Sequence, residues 1–227
     1  MTAPVKLTID IWSDVMCPWC IIGYKQLETA LGELDGEIAA EIRWRAFELN
    51  PDLPAEGEDA GRHIMRKYGQ PPSDGAMRQM QAIAEAAGYE MRYLGEGDEP
   101  PRMMWNTRAA HMLLHWALDA AGPEVQTRLK LALFDAHFQQ RRNISDAEVL
   151  ADIAEGLGLD REGALAAMAD ENLARTIEAE EMDAIGKGIN AVPTMLVEGR
   201  FMIPGAQDPE TYANYLRKVV TRMTDAA

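Results

Sequence analysis

The sequence predicts an α/β fold, a mixed sheet flanked by helices and interrupted by a large, all-helical insertion. Three patterns predict it: a strand–helix–strand signal at the start, a long block with only helical periodicity, and a strand–strand–helix signal at the end. In the first, residues 5–13 (VKLTIDIWS) alternate Val5, Leu7, Ile9 and Ile11 with more polar neighbours, the period of a strand. Pro18 suits the first position of a helix, where its missing N–H costs nothing, and the helical pattern runs on to Leu34. Cys20, Tyr24, Leu27 and Leu31 recur at helical spacing and place one stripe on the core, with Cys17 at the cap. After Gly36 the alternation returns over Glu41 to Leu49, with Ile42, Trp44 and Ala46 on one face and Arg43, Arg45 and Phe47 on the other.

Residues 50–61 (NPDLPAEGEDAG) read as a loop from their Pro, Gly and acidic content. From there to Lys187 the signals are helical. Trp105, Ala109, Met112, Leu113, Trp116 and Ala120 form a stripe, and Ser145 with Glu148 reads as a capping box. Breaks fall at 95–101 (GEGDEPP), at 121–123 (AGP) and at 156–160, as turns between helices. Strand character resumes at Thr194 to Val197, turns at Glu198-Gly199 and continues over Arg200 to Ile203, a hairpin. Asp208 then caps a last helix with Pro209 at its first position and Tyr212, Tyr215, Leu216, Val219 and Val220 on its buried stripe. The expected division is 1–50 with 188–227 as the sheet-bearing domain and 51–187 as the helical insertion, whose last helix, about 171–187, leads back into the sheet.

Composition narrows the function. A chain that is 47% hydrophobic has the means to bury a core, and a net charge of −15 repels phosphate backbones, so nucleic acid is excluded as a partner. The most apolar stretch, Ala109 to Ala121, contains His111, His115 and Asp119 and falls short of the ~20 residues of a membrane span. The first residues carry no basic, apolar and small-residue leader pattern, which makes the expected location cytoplasmic. Two cysteines three positions apart exclude a stapling disulfide framework.

Cys17-Pro18-Trp19-Cys20 stands where a strand gives way to a helix, the context of a redox pair. The exposed helix start, with its unpaired backbone N–H groups, favours thiolate at Cys17, and thiolate is the nucleophile. Cys20, one turn on and in the buried stripe, is placed to attack a mixed disulfide formed at Cys17. Pro18 and Trp19, between the thiols, are candidate substrate contacts. A zinc site would need two further ligands, and His63, His111, His115 and His137 lie at no such spacing, so no metal is assigned. Met77, Met80, Met91, Met103 and Met104 read first as fillers of core gaps and second as an adaptable groove.

Together, SDVMCPWC at 13–20, FELNPDLP at 47–54, WNTRAAH at 105–111, VPT at 192–194 and GAQ at 205–207 resemble the FrnE-type branch of the DsbA family, in the thioredoxin superfamily. That resemblance implies a thioredoxin-like sheet with a helical insertion. It also implies dithiol–disulfide exchange at Cys17 and Cys20 with protein or small-molecule thiols and disulfides, by oxidation, reduction or isomerisation, and no cofactor. Val192 and Pro193 match the family's cis-proline loop, which faces the cysteines and pairs with incoming substrate. The same architecture resembles kappa-class glutathione transferases and 2-hydroxychromene-2-carboxylate isomerases, with Asn50, Val192 and Pro193 as glutathione contacts; those proteins typically have Ser where this chain has Cys17. Glutathione therefore stands as a candidate co-substrate. A client-binding, chaperone-like module is the third reading, and the sequence assigns no oligomeric state.

Overall fold

Val5–Ser13 forms strand β1 in the computed structural model of the chain, which describes residues 3–71 and 73–225. Its inward side chains, Leu7, Ile9 and Ile11, are buried as the alternation requires. Helix α1 (Pro18–Glu33) follows with Pro18 at its start and Cys17 as an extended N-cap residue. Strand β2 (Ile38–Ala46) then pairs parallel with β1, Val5 opposite Ile38 and Ser13 opposite Ala46.

This strand lies three residues earlier than the alternation suggests. Phe47, Glu48 and Leu49 leave the ladder because side chains from elsewhere take their backbone donors: Leu49 N–H donates to Asp14 Oδ2 at 2.8 Å and Glu48 N–H to Glu181 Oε1 at 2.7 Å. On its outer edge β2 is closed by one side chain. Trp44 N–H donates to Gln126 Oε1 (2.8 Å) and Gln126 Nε2 donates back to the Trp44 carbonyl (2.9 Å), as a neighbouring strand would.

Residues 58–61 are not loop. Glu58–Asp59 forms β3, paired antiparallel with β4 (Met103–Met104), and Asp59 caps α2 (Ala60–Tyr68) by accepting from Arg62 N–H. Gly57, with φ of 75°, is required there, since a Cβ would lie 2.5 Å from the Trp105 ring. Helix α3 (Asp74–Ala86) precedes β4, so the break at 95–101 lies in a coil that enters a strand. The insertion continues through α4 (Arg108–Ala121), α5 (Pro123–Phe138), α6 (Ala147–Gly156), α7 (Arg161–Met168) and α8 (Glu171–Gly186). Trp105 is outside α4, because Asn106 holds the loop carbonyls of Pro51 and Leu53 and accepts from Arg108 N–H; Ala120 is exposed, and Ala110, Leu113, Leu114 and Ala117 form the buried stripe. Nor does Ser145 cap α6. Its hydroxyl donates to the Ala55 carbonyl, and Asp146 next to it accepts from Glu148 N–H.

The chain returns to the sheet through β5 (Thr194–Val197), antiparallel to β1, and β6 (Phe201–Pro204), antiparallel to β5 and one residue later than expected. Strand order is β2-β1-β5-β6, the mixed sheet of a thioredoxin-like fold. Helix α9 (Pro209–Asp225), capped by Asp208 accepting from Thr211 N–H at 2.8 Å, packs beside α1 on one face. On the other face Ala184 of α8 meets Trp12. Among the described residues no helix is long and apolar enough to cross a membrane.

Candidate active site

Strand β1 ends in Ser13 and Asp14, and Asp14 builds the turn that presents the thiols. Its backbone carbonyl accepts from Cys17 N–H (3.1 Å) and its carboxylate from Met16 N–H (3.2 Å), so the helix start is fixed from below. Burial pushes the Asp14 carboxyl up from its ordinary pKa, against the backbone donors and the Lys130 charge that favour the ion.

Cys17 and Cys20 are free thiols with unequal access. Cys20 is wholly buried and Cys17 is 5% exposed, whereas Trp19 between them is 41% exposed. The open position expected for Cys17 is thus a narrow one, because its thiol tucks under the loop that enters β5, with Sγ 3.8 Å from the Val192 carbonyl. The Val192–Pro193 peptide bond is cis. Gly205 N–H donates to the Pro193 carbonyl at 2.8 Å and holds the loop to the hairpin. Gly23 lets α1 come close to that loop: a Cβ would meet Pro193 Cγ at 3.1 Å and Ala206 Cβ at 3.2 Å.

The structure therefore brings Cys17, Cys20, Val192 and Pro193 together, with Trp19 on the surface beside them. Asn50 lies on the other side of the helix start. It lines a separate cavity with Met16 and Pro18, where its Oδ1 accepts from Lys67 Nζ at 2.8 Å. Met77, Met80, Met91, Met103 and Met104 line the same cavity; Met91 is also buried in the core and Met80 and Met104 pack half-buried against it, so the reading as core fillers holds for these three and the reading as a groove for all five.

Beneath Cys20 lie groups that sequence reading passed over. Lys130, on α5, is fully buried; its ammonium donates to the Ser13 carbonyl (3.2 Å) and sits over the Trp44 and Phe134 rings at 5.2 and 5.1 Å. Burial lowers its pKa to about 8, opposed by the charges of Cys20 and Asp14. Burial likewise pushes the Cys20 thiol well up, as do the hydrogen bond and charge of Cys17, while Lys130 and the Ser13 hydroxyl favour its thiolate. The sequence signal was a cation inside an apolar helix stripe, Leu129, Lys130, Leu133 and Phe134. His111 is also buried, held neutral by burial with Nε2 lacking a partner, whereas His115 turns outward to Glu180 at 3.6 Å. Among the described residues no group of three or more His, Cys, Asp or Glu converges on a metal-sized site.

A cis-proline loop set against a Cys-x-x-Cys helix start on this sheet defines a thioredoxin-fold protein with a dithiol centre. The chain belongs to the DSBA-like thioredoxin domain family, which it matches over residues 8–217. It is similar to the uncharacterized protein YwbO of Bacillus subtilis (strain 168), 30% identical over 210 residues that cover 90% of this chain and 92% of YwbO. Among solved structures it is similar to the probable DsbA oxidoreductase SCO1869 of Streptomyces coelicolor, at 29% identity and a TM-score of 0.80 over 93% of this chain and 89% of that one. The cytosolic disulfide reductase DsbM of Pseudomonas aeruginosa, solved with GSH, shares the fold at 19% identity and a TM-score of 0.63, over 94% of this chain and 99% of DsbM.

Proposed function

We propose that Cys17 and Cys20 carry out thiol–disulfide exchange with protein or small-molecule substrates. In the reducing direction the Cys17 thiolate attacks one sulfur of a disulfide RS–SR′, forming Cys17–S–SR and releasing R′S⁻. Cys20 then gives up its proton and attacks Cys17 Sγ, forming the Cys17–Cys20 disulfide and releasing RS⁻; two electrons pass from the protein's dithiol to the substrate. Oxidation of substrates is the same path reversed, and isomerisation joins the two. The observation that carries this reading is the unequal burial of the two thiols around one turn of helix, with the Val192 carbonyl beside the outer one. That carbonyl is a backbone acceptor for an incoming chain.

The reading extends to a FrnE-type protein working in the cytoplasm with no cofactor beyond its own thiols. Glutathione is its proposed reductant, on two grounds: the similarity to DsbM, and the amide of Asn50 with the Lys67 ammonium in the cavity beside Pro18. A glutathione transferase or isomerase activity is the weaker reading, since a second thiol at Cys20 has no task there. Dithiothreitol-driven insulin reduction tests exchange, and it should be lost in Cys17→Ser. Glutathione conjugation or isomerisation that persists in Cys20→Ser, with no insulin reduction by the unaltered protein, would reverse the order of the two readings.

A further inference from the structure

We propose that the methionine-lined cavity beside Cys17 binds the body of the substrate, and that this substrate is a small disulfide or thiol with an apolar arm and a carboxylate. The sulfur chemistry rests on the exchange reading above; the binding does not. The cavity has a volume of about 490 Å³, within the range of clefts that hold small molecules. Met16 and Pro18, the two chain neighbours of Cys17, both line it, so a ligand seated there lies along the helix start that carries the thiol. Met77, Met80, Met91, Met103 and Met104 supply the rest of an unbranched thioether wall, which reshapes readily around varied apolar and aromatic bodies.

Charge selects the other end of the ligand. In a chain with 37 acidic and 22 basic residues, no Asp or Glu lines this cavity, whereas Lys67, Arg102 and Arg141 do. Arg102 and Arg141 are both engaged by Glu99, at 3.2 and 2.7 Å. Lys67 is engaged by neutral oxygens only, the Asn50 amide at 2.8 Å and the Leu49 carbonyl at 3.5 Å, and has no carboxylate partner among the described residues. The wall adds a buried polar group with nothing to bind: His137, held neutral at a pKa of about 3 by its burial, has an Nδ1 without a hydrogen-bond partner. An anionic group at Lys67 with an apolar body against the thioethers suits both the unpaired cation and the apolar wall, and the cavity's size suits a small molecule rather than a protein surface.

The test separates binding from chemistry. The Cys17→Ser/Cys20→Ser protein, titrated calorimetrically with 5-(methylthio)-2-nitrobenzoate, should bind it saturably. Lys67→Met should weaken that binding about tenfold, the loss of one charge-assisted contact. Met80→Trp, which fills the cavity, should abolish it, and the neutral methyl ester should bind about tenfold more weakly than the acid. With both cysteines present and reduced, Lys67→Met should slow reaction with 5,5′-dithiobis(2-nitrobenzoate) about tenfold and with neutral 4,4′-dithiodipyridine less than twofold. No saturable binding, or binding equal in Lys67→Met, overturns the proposal even if both disulfides react. Binding as expected with neither disulfide reduced overturns the exchange reading and leaves the cavity as a binding site.

Discussion

The two thiols stand one helical turn apart in surroundings built by different parts of the chain. Beside the Cys17 thiol lies the loop that leads into the returning hairpin, with the Val192 carbonyl, the cis Pro193 and the Gly205 N–H that holds them. Around Cys20 the insertion reaches in, with Lys130 from α5 threaded through an aromatic wall to the Ser13 carbonyl. On the exchange reading, the outer thiol is the one that meets substrate and the inner one is the one whose proton its surroundings control. A buried cation is costly unless something near it gains from the charge, and a thiol whose burial opposes ionisation is such a partner.

The sharpest way to break that contrast is Lys130→Met, which keeps the side chain's bulk and removes its charge. The step in which Cys20 displaces substrate from Cys17 should slow about tenfold, one pKa unit of lost thiolate stabilisation, while capture by Cys17 changes little. Quenched-flow measurement of mixed-disulfide decay against pH should show an inflection near pH 8 in the unaltered protein and none there in Lys130→Met. Equal slowing of capture and release would make Lys130 a general structural element.

A second variant tests the insertion's hold on the strand exit. Burial and the charge of Glu48 raise the pKa of Glu181 to about 7, so in the folded protein this carboxyl keeps its proton above the range where the unfolded chain releases it. Its contribution to stability is present below the ordinary carboxylate pKa and is lost as pH rises through about 7. Glu181→Gln, which retains an oxygen for Glu48 N–H, should raise stability at pH 8 by about 1 kcal/mol after solvent screening and by nothing measurable at pH 4. Urea denaturation at the two pH values checks it; a gain at pH 4 alone has the wrong sign.

The smallest effect belongs to the hairpin side. Gly23→Ala puts a methyl 3.1 Å from Pro193 Cγ, so the loop must yield by a few tenths of an ångström. Capture by Cys17 should slow about two- to threefold with the release step unchanged, and stability should fall little, because Ala's helix preference of about 1 kcal/mol offsets the crowding. Stopped-flow capture rates would show whether the loop's position matters at all.

What the sequence made legible was what neighbouring residues decide. Strand β1, the entry of α1 at Pro18, strand β5 and the Asp208 cap follow from alternation and capping, and they carry both cysteines and the proline loop. The end of β2 was misplaced because Asp14 and Glu181, remote in sequence, take the donors of Leu49 and Glu48. Strands β3 and β4, two residues each, are too short to show a period. Lys130 was missed for a related reason: a helix pattern shows that a charge sits on the apolar stripe, but only packing places it beneath a thiol. Spacing does not tell a filled gap from an open one, so the sequence does not show that methionines packed in or against the core also line a cavity.

The division of labour between the thiols is tested most directly by trapping. Cys17→Ser and Cys20→Ser, each mixed with a peptide disulfide or recovered from cells under acid quench, would be resolved on non-reducing gels. Cys20→Ser should accumulate mixed disulfides through Cys17, and Cys17→Ser should accumulate almost none, with both variants folded. Equal trapping by the two, or trapping only through Cys20, would contradict the assignment of Cys17 as the attacking thiol and Cys20 as the one that resolves.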